Sequence, residues 1–161
     1  MDNSHTPFEK LLWSIALPGF GQFLNGKILK GLLFVFLEFL INSKGNFNKV
    51  IMLSFQGKIE EAILLTNYQW LMFYPCLYFF AMWDAWKDGG GGKERFSFLP
   101  FVFSAYFVTV GCMYSTDLKL FGVLLGPVWL PMICVIPGIV VGNVIKKVIL
   151  LKAEEKNKGS I

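Results

Sequence analysis

Residues 16–31 read ALPGFGQFLNGKILKG. This stretch sets Pro18, four glycines, the amides Gln22 and Asn25, and the cations Lys27 and Lys30 between two apolar runs. LLWSIA (11–16) leads into it, and LLFVFLEFLI (32–41) comes after it, with no lysine or arginine in either. Proline and glycine interrupt helices, so the pattern is that of a broken element inside an apolar domain. The chain outward from here decides what surrounds it.

Hydrophobic residues make up 55% of the 161-residue chain, and 17 phenylalanines bring the aromatic share to 17%. Mean hydropathy is +0.55. A soluble domain of this size cannot hide that much apolar surface. Several uncharged runs approach the ~20 residues that span hydrocarbon. The fold class expected is therefore all-α: a polytopic helical membrane protein of four to five transmembrane helices plus an interfacial helix. The net charge of +4 comes from lysines in short loops and the tail, which is a positive-inside bias and not a nucleic-acid footprint.

Met1 to Lys10 reads as a polar tail whose acids make a poor signal-peptide start, so the first apolar run is expected to be retained. Leu11–Leu24 spans about 21 Å as helix, interrupted at Pro18. A short tilted helix is favoured over a re-entrant piece. A second helix is expected over 28–41, then a break at 42–48. The segment 49–66, KVIMLSFQGKIEEAILLT, mixes apolar positions with Lys58, Glu60 and Glu61 and suits a surface-lying amphipathic helix interrupted near Gly57. Tyr68–Trp86 is the clearest span, about 28 Å long, with aromatic ends and Pro75 as a mid-span kink.

Gly89–Gly92 is a flexible hinge that lacks the lysine and hydroxyl of a phosphate loop. Phe98–Ser115 is a further span, ending in a turn at 116–119. Leu120–Ile145 has no charge over about 39 Å and should break at its prolines, with a main helix from Pro131 to about Leu151. The organisation expected is thus a first membrane half (1–88) with an external insertion (43–67), a hinge (89–97), a second half (98–151) and a polar tail (152–161).

Lys27, Lys30, Lys87, Lys93, Arg95, Lys146, Lys147, Lys152, Lys156 and Lys158 fall on one side of this arrangement, ten of the 15 lysines and arginines. That side is expected to be cytoplasmic, carrying the carboxy-terminal tail. The membrane expected is a bacterial cytoplasmic membrane.

Gly19, Gly21, Phe23, Gly26 and Gly31, together with WLMFYPCLYFFAMWDAWKD and its Asp84, resemble the TM-two domain family, membrane modules built on a helix pair. The resemblance covers roughly residues 12–88. Gln22 and Leu24 stand where that family shows histidine and tyrosine, and the 42–67 insertion is long. LPGFGQFLNGKILKG and IPGIVVGNVIKKVI echo each other, as a duplicated, multi-copy arrangement or chance likeness would produce. The resemblance implies a membrane module and no particular activity.

Pro18, Gly19, Gly21, Gln22, Asn25, Gly26 and Asp84 form the expected structural motif, with Asp84 accepting from Lys27, Lys30 or freed backbone amides. Glu38 is the one acid inside an apolar run. It is either a site of ion or proton handling or a group reaching the outer interface near Asn42. Gly122/Gly126 and Gly138/Gly142 are small-xxx-small pairs, expected to pack helices within the chain. Cys76, Cys112 and Cys134 read as reduced, space-filling thiols. No catalytic triad, paired carboxylates, zinc spacing or nucleotide loop is present, so no enzyme activity, cofactor or metal is expected. The partners expected are the lipid bilayer and other membrane proteins. The function expected is that of a structural or accessory component of an envelope complex. The alternative is a transporter or channel component with a polar path through Glu38.

Overall fold

The computed structural model describes residues 5–158, and the chain is mostly helical. Its helices are α1 (Pro7–Ala16), α2 (Phe20–Leu24), α3 (Ile28–Gly45), α4 (Phe47–Phe55), α5 (Ile59–Leu65), α6 (Tyr68–Leu71), α7 (Tyr74–Asp88), α8 (Leu99–Tyr114) and α9 (Gly126–Lys158). A two-residue antiparallel ladder, β1 (Lys119–Leu120) with β2 (Val123–Leu124), joins α8 to α9.

Helix α1 starts earlier than the polar tail suggested. The Thr6 hydroxyl accepts from the Glu9 amide at 3.1 Å, Pro7 occupies the first turn, and Glu9 faces the positive helix end. After Leu17 the chain turns at Gly19, whose φ of 109° only glycine adopts without strain. Pro18 is fully buried there. Helix α2 does not continue the line of α1. A Cβ on Gly21 would lie 2.4 Å from the Lys10 carbonyl oxygen and 2.3 Å from Ser14 Oγ, whereas eleven residues of straight helix would separate Lys10 and Gly21 by about 16 Å. The favoured single helix over 11–24 is therefore replaced by a fold-back elbow, α1 against α2, because Gly19 reverses the chain.

Both short helices lie on α7. Pro7 and Lys10 approach Gly89 at its end, and Tyr78 donates its hydroxyl proton to the Ile15 carbonyl. Helix α3 then runs antiparallel to α7, with Phe34 6.0 Å from Phe80. The span expected over 68–86 is divided into α6 and α7. Pro75 sits in the first turn of α7, where a missing N–H costs nothing, instead of kinking a continuous helix.

Helices α4 and α5, parted at Gly57, bury Val50 and Ala62 completely against Val128 of α9. Trp129 Nε1 donates to the Ser54 carbonyl at 3.1 Å, so the amphipathic segment is docked on the start of α9. The expected break before Pro131 is absent. Helix α9 begins at Gly126, and Pro131 and Pro137 are accommodated within it. Residues 152–158, expected as a tail, continue that helix, and 159–161 fall outside the described residues.

Helices α8 and α9 are antiparallel in a register written by glycine. A Cβ on Gly142 would lie 2.5 Å from Pro100 Cα, one on Gly138 2.5 Å from Ser104 Cα, and one on Gly111 3.0 Å from Pro131 Cα. The α9 position falls by four as the α8 position rises by four, so one stripe of small contacts sets the pair. Gly122 plays no part in helix packing. It sits in the β1–β2 turn at φ 83° with nothing within 4 Å of its Cβ direction. Gly126 meets the Ile59 side chain at the start of α9.

By length and apolar composition α9 alone, over Gly126–Ala153, is sufficient to cross a membrane among the described residues, with α8 a shorter apolar helix.

Candidate functional site

Asp84 of α7 is buried, and each of its carboxylate oxygens is engaged. Lys30 Nζ donates to Oδ1 at 2.8 Å, and Gln22 Nε2 donates to Oδ2 at 3.1 Å. Lys30 also reaches Asp88 Oδ2 at 2.9 Å. Gln22 Nε2 donates as well to the Ala81 carbonyl at 2.8 Å, and Asn25 Nδ2 to the Ala85 carbonyl at 2.7 Å. Helix α2 and its cap Asn25 thus read the backbone of α7 through two amides, and α3 reads its carboxylates through one ammonium.

The local sequence explains the geometry. Gln22 lies on α2 and Asn25 caps its end three residues on, so both face α7. Ala81 and Ala85, four apart, present methyl groups small enough for both amides to approach their carbonyls. Asp84 and Asp88, also four apart, stand side by side on the next face of α7 and take Lys30 between them. Gly21 gives α2 its contact with Ala85, where an added Cβ would lie 2.7 Å from the alanine methyl. Gly31 admits the Phe23 ring, which a Cβ would meet at 2.4 Å. Gly26, with open space around it, serves only the turn.

Of the expected motif residues, Gln22, Asn25 and Asp84 meet in one place with Gly21 packed beside them, whereas Gly19 packs on Gly31 and Val35 and Gly26 only turns the chain. Lys30, not Lys27, is the cation on Asp84. The donor from the elbow is the Gln22 side chain and not a freed backbone amide. Sequence reasoning misses the roles of Ala81, Ala85 and Asp88, though the 81/84/85/88 spacing is the legible trace of a helix face.

Glu38 lies elsewhere. It is buried on α3, and its Oε1 accepts from the Tyr74 hydroxyl at 3.1 Å, while Oε2 has no protein partner among the described residues. Tyr74 stacks on Tyr78 at 5.4 Å and packs on Phe47 at 4.7 Å. Glu38 thus sits against the Tyr74 hydroxyl beside packed aromatic rings, and Asn42, one turn on, bonds Asn48 at 3.0 Å. Tyr74 and Asp84 are ten residues apart on α7, about 15 Å, so Glu38 and the elbow are separate sites. Neither borders the cavity of about 750 Å³ between α7 and α8, nor the smaller one beside α5.

Cys112 is buried, Cys134 partly so and Cys76 exposed, and all three are free. Among the described residues no three histidine, cysteine, aspartate or glutamate side chains gather as a metal site. The elbow can pin helices together through charge-assisted hydrogen bonds, and Glu38 joins α3 to α7 by accepting from Tyr74. Comparison with protein-family models, with curated proteins and with solved structures finds no match to this chain.

Proposed function

We propose that this chain is a small polytopic membrane protein that works through contacts, as a structural or accessory component of an envelope complex. Four crossings are assigned: α3, α6 with α7, α8, and α9. The α1–α2 elbow re-enters from the inner side. It brings the amino terminus to the side of Gly89, so Lys10 joins the inner lysines and the positive-inside bias grows. Both ends of the chain are then cytoplasmic, in a bacterial cytoplasmic membrane.

The observation that carries this reading is the placement of polarity. The amides and carboxylates of the apolar helices are turned toward one another, while large apolar side chains are turned outward. Leu29 is 83% exposed, Phe39 75% and Ile136 66%. A lipid solvent accepts that surface, and water does not. The glycines and Asp84 that resemble the TM-two domain family lie in the single elbow site, which supports a membrane module built on that helix pair.

A second reading, transport or channel activity, draws on the unpartnered Glu38 Oε2. The separation of Glu38 from Asp84 weighs against a continuous polar path.

Carbonate extraction of native membranes tests the first claim: the protein should stay in the pellet. Single cysteines at Thr6 and Lys93, in a background without native cysteines, should label only from the cytoplasm, and one at Ser43 only from outside. A pull-down in mild detergent should then recover a stoichiometric membrane partner. Release by carbonate, or external labelling at Thr6, would overturn the architecture. Absence of any partner would overturn the accessory role.

A further inference from the structure

Helices α7 and α8 do not close on each other along their length. Between them lies an apolar groove of about 750 Å³, walled by Cys76, Phe80 and Trp83 on one side and by Phe98, Val102 and Ala105 on the other. Phe80 and Val102 are more than half exposed. Among the polar side chains along it, the Thr109 hydroxyl is already engaged with the Ala105 carbonyl at 2.8 Å. The groove runs toward the Gly89–Ser97 loop, and there the charge is positive. Lys87 Nζ lies 4.7 Å from the centre of the Trp83 ring, and Arg95 lies 5.6 Å from that of Phe96. Phe96 in turn touches Phe98, with ring centres 6.4 Å apart. A cation–π contact thus holds Lys87 on the aromatic wall, and Arg95 lies one ring removed from it, at one end of the groove. The acid of this loop, Glu94, is occupied by Lys146.

We propose that this groove holds one acyl chain of an anionic phospholipid, with the headgroup phosphate at the level of Lys87 and Arg95. The inference rests on the membrane reading above, which places the groove in hydrocarbon and its charged end at the inner headgroups. The cations at the mouth argue for an anionic lipid as the occupant. A hydrocarbon chain fits, and gains its binding from dispersion contacts that a lipid-filled membrane supplies at no desolvation cost. Selectivity then comes from charge at the mouth, since each surface lysine or arginine favours anionic lipid.

The test is native mass spectrometry of the full chain, purified in mild detergent after incubation with vesicles of equal phosphatidylglycerol and phosphatidylcholine. One phosphatidylglycerol should be retained per chain. The double variant K87Q/R95Q, changed only at the charged end, should still retain one lipid but lose its preference for phosphatidylglycerol by roughly thirtyfold. Ala105→Trp should fill the groove and retain none, with helix content checked by circular dichroism. Equal retention of both lipids by the parent chain overturns the proposal, as does a preference indifferent to K87Q/R95Q. So does a disulfide between the Cys76 residues of two copies formed in native membranes, which would give the groove to a second chain. Carbonate extraction separates the two levels: a protein that resists extraction but retains no lipid refutes the groove assignment alone, and a protein that is released refutes the membrane reading itself.

Discussion

Lys30 and Asp84 form a 2.8 Å ion pair across 54 residues of chain, and the two partners are unequally replaceable. If Asp84 loses its charge, Lys30 keeps Asp88 and Gln22 Nε2 keeps the Ala81 carbonyl. If Lys30 is lost, Asp84 remains a largely buried carboxylate with one neutral amide as its only side-chain donor among the described residues. The removal that strands a buried charge is the costly one. Lys30 is half exposed, so water screens part of the effect. Lys30→Met should therefore destabilise by about 2 kcal/mol and Asp84→Asn by about 1 kcal/mol. Unfolding in mixed micelles by titration with dodecyl sulfate measures both. Equal costs, or the reverse order, would show that Asp84 does not depend on Lys30.

Gly21 and Gly26 stand close together in the chain yet carry different burdens: Gly21 lies in the elbow contact and Gly26 in the open turn. Alanine at Gly21 must displace the Lys10 carbonyl and the Ala85 methyl, at 2.4 and 2.7 Å, and neither is the end of a flexible side chain. Overpacking of that kind costs roughly 2–3 kcal/mol. Alanine at Gly26 meets no atom within 4 Å and only has to accept φ 71°, which costs about 1 kcal/mol. Thermal unfolding of the two variants in one detergent should separate them, with Gly21→Ala the less stable. A pair of equal midpoints would mean that α1 and α2 are not in close contact.

The elbow is readable in the sequence because its residue types are wrong for their surroundings. Pro18, Gln22, Asn25 and Asp84 stand out in apolar helices, and each must find a partner. The direction of the turn is not readable, since an isolated Pro-Gly step serves a kinked helix or a reversal equally well. The packing of Gly21 on Lys10 decides it, a contact that no local pattern specifies. The same holds for α9. Prolines at 131 and 137 predict a break from propensity, but the glycine stripe against α8 keeps the helix whole, and tertiary packing overrides local preference. Gly122 and Gly126 match the spacing of a packing pair by coincidence, because the β1–β2 turn needs one glycine and the start of α9 needs the other.

Glu94 and Lys146 couple the loop between α7 and α8 to the carboxy-terminal half of α9. The hydrogen bond from Lys146, reinforced by its charge, holds the Glu94 carboxyl below its ordinary value. A carboxyl depressed in the folded state adds stability above its unfolded pKa and loses it as pH falls through the lower folded value. The loop should therefore stay tethered at neutral pH and loosen only in acid. Amide hydrogen exchange across residues 89–98 should rise as the pH is lowered below the ordinary carboxylate range, after correction for intrinsic rates. Glu94→Gln should show the faster exchange already at neutral pH and little further change in acid. A parent protein whose corrected exchange in this loop is flat across that range would rule out the coupling.

Tyr74 and Glu38 offer the sharpest contrast between the two functional readings. Tyr74→Phe removes the hydroxyl from Glu38 Oε1 and leaves a buried carboxyl with no side-chain donor among the described residues, at a cost of about 1–3 kcal/mol. Glu38→Gln keeps an acceptor for Tyr74 and should be tolerated within about 1 kcal/mol. Replacing both, as Glu38→Leu with Tyr74→Phe, removes donor and acceptor together and should cost less than Glu38→Leu and Tyr74→Phe summed. If Glu38 is only a packing group, all three variants leave proton leak across proteoliposomes unchanged while stability obeys this cycle. If Glu38 carries protons, Glu38→Gln alters the leak at unchanged stability, and the contact-only role of the protein gives way to the transport reading.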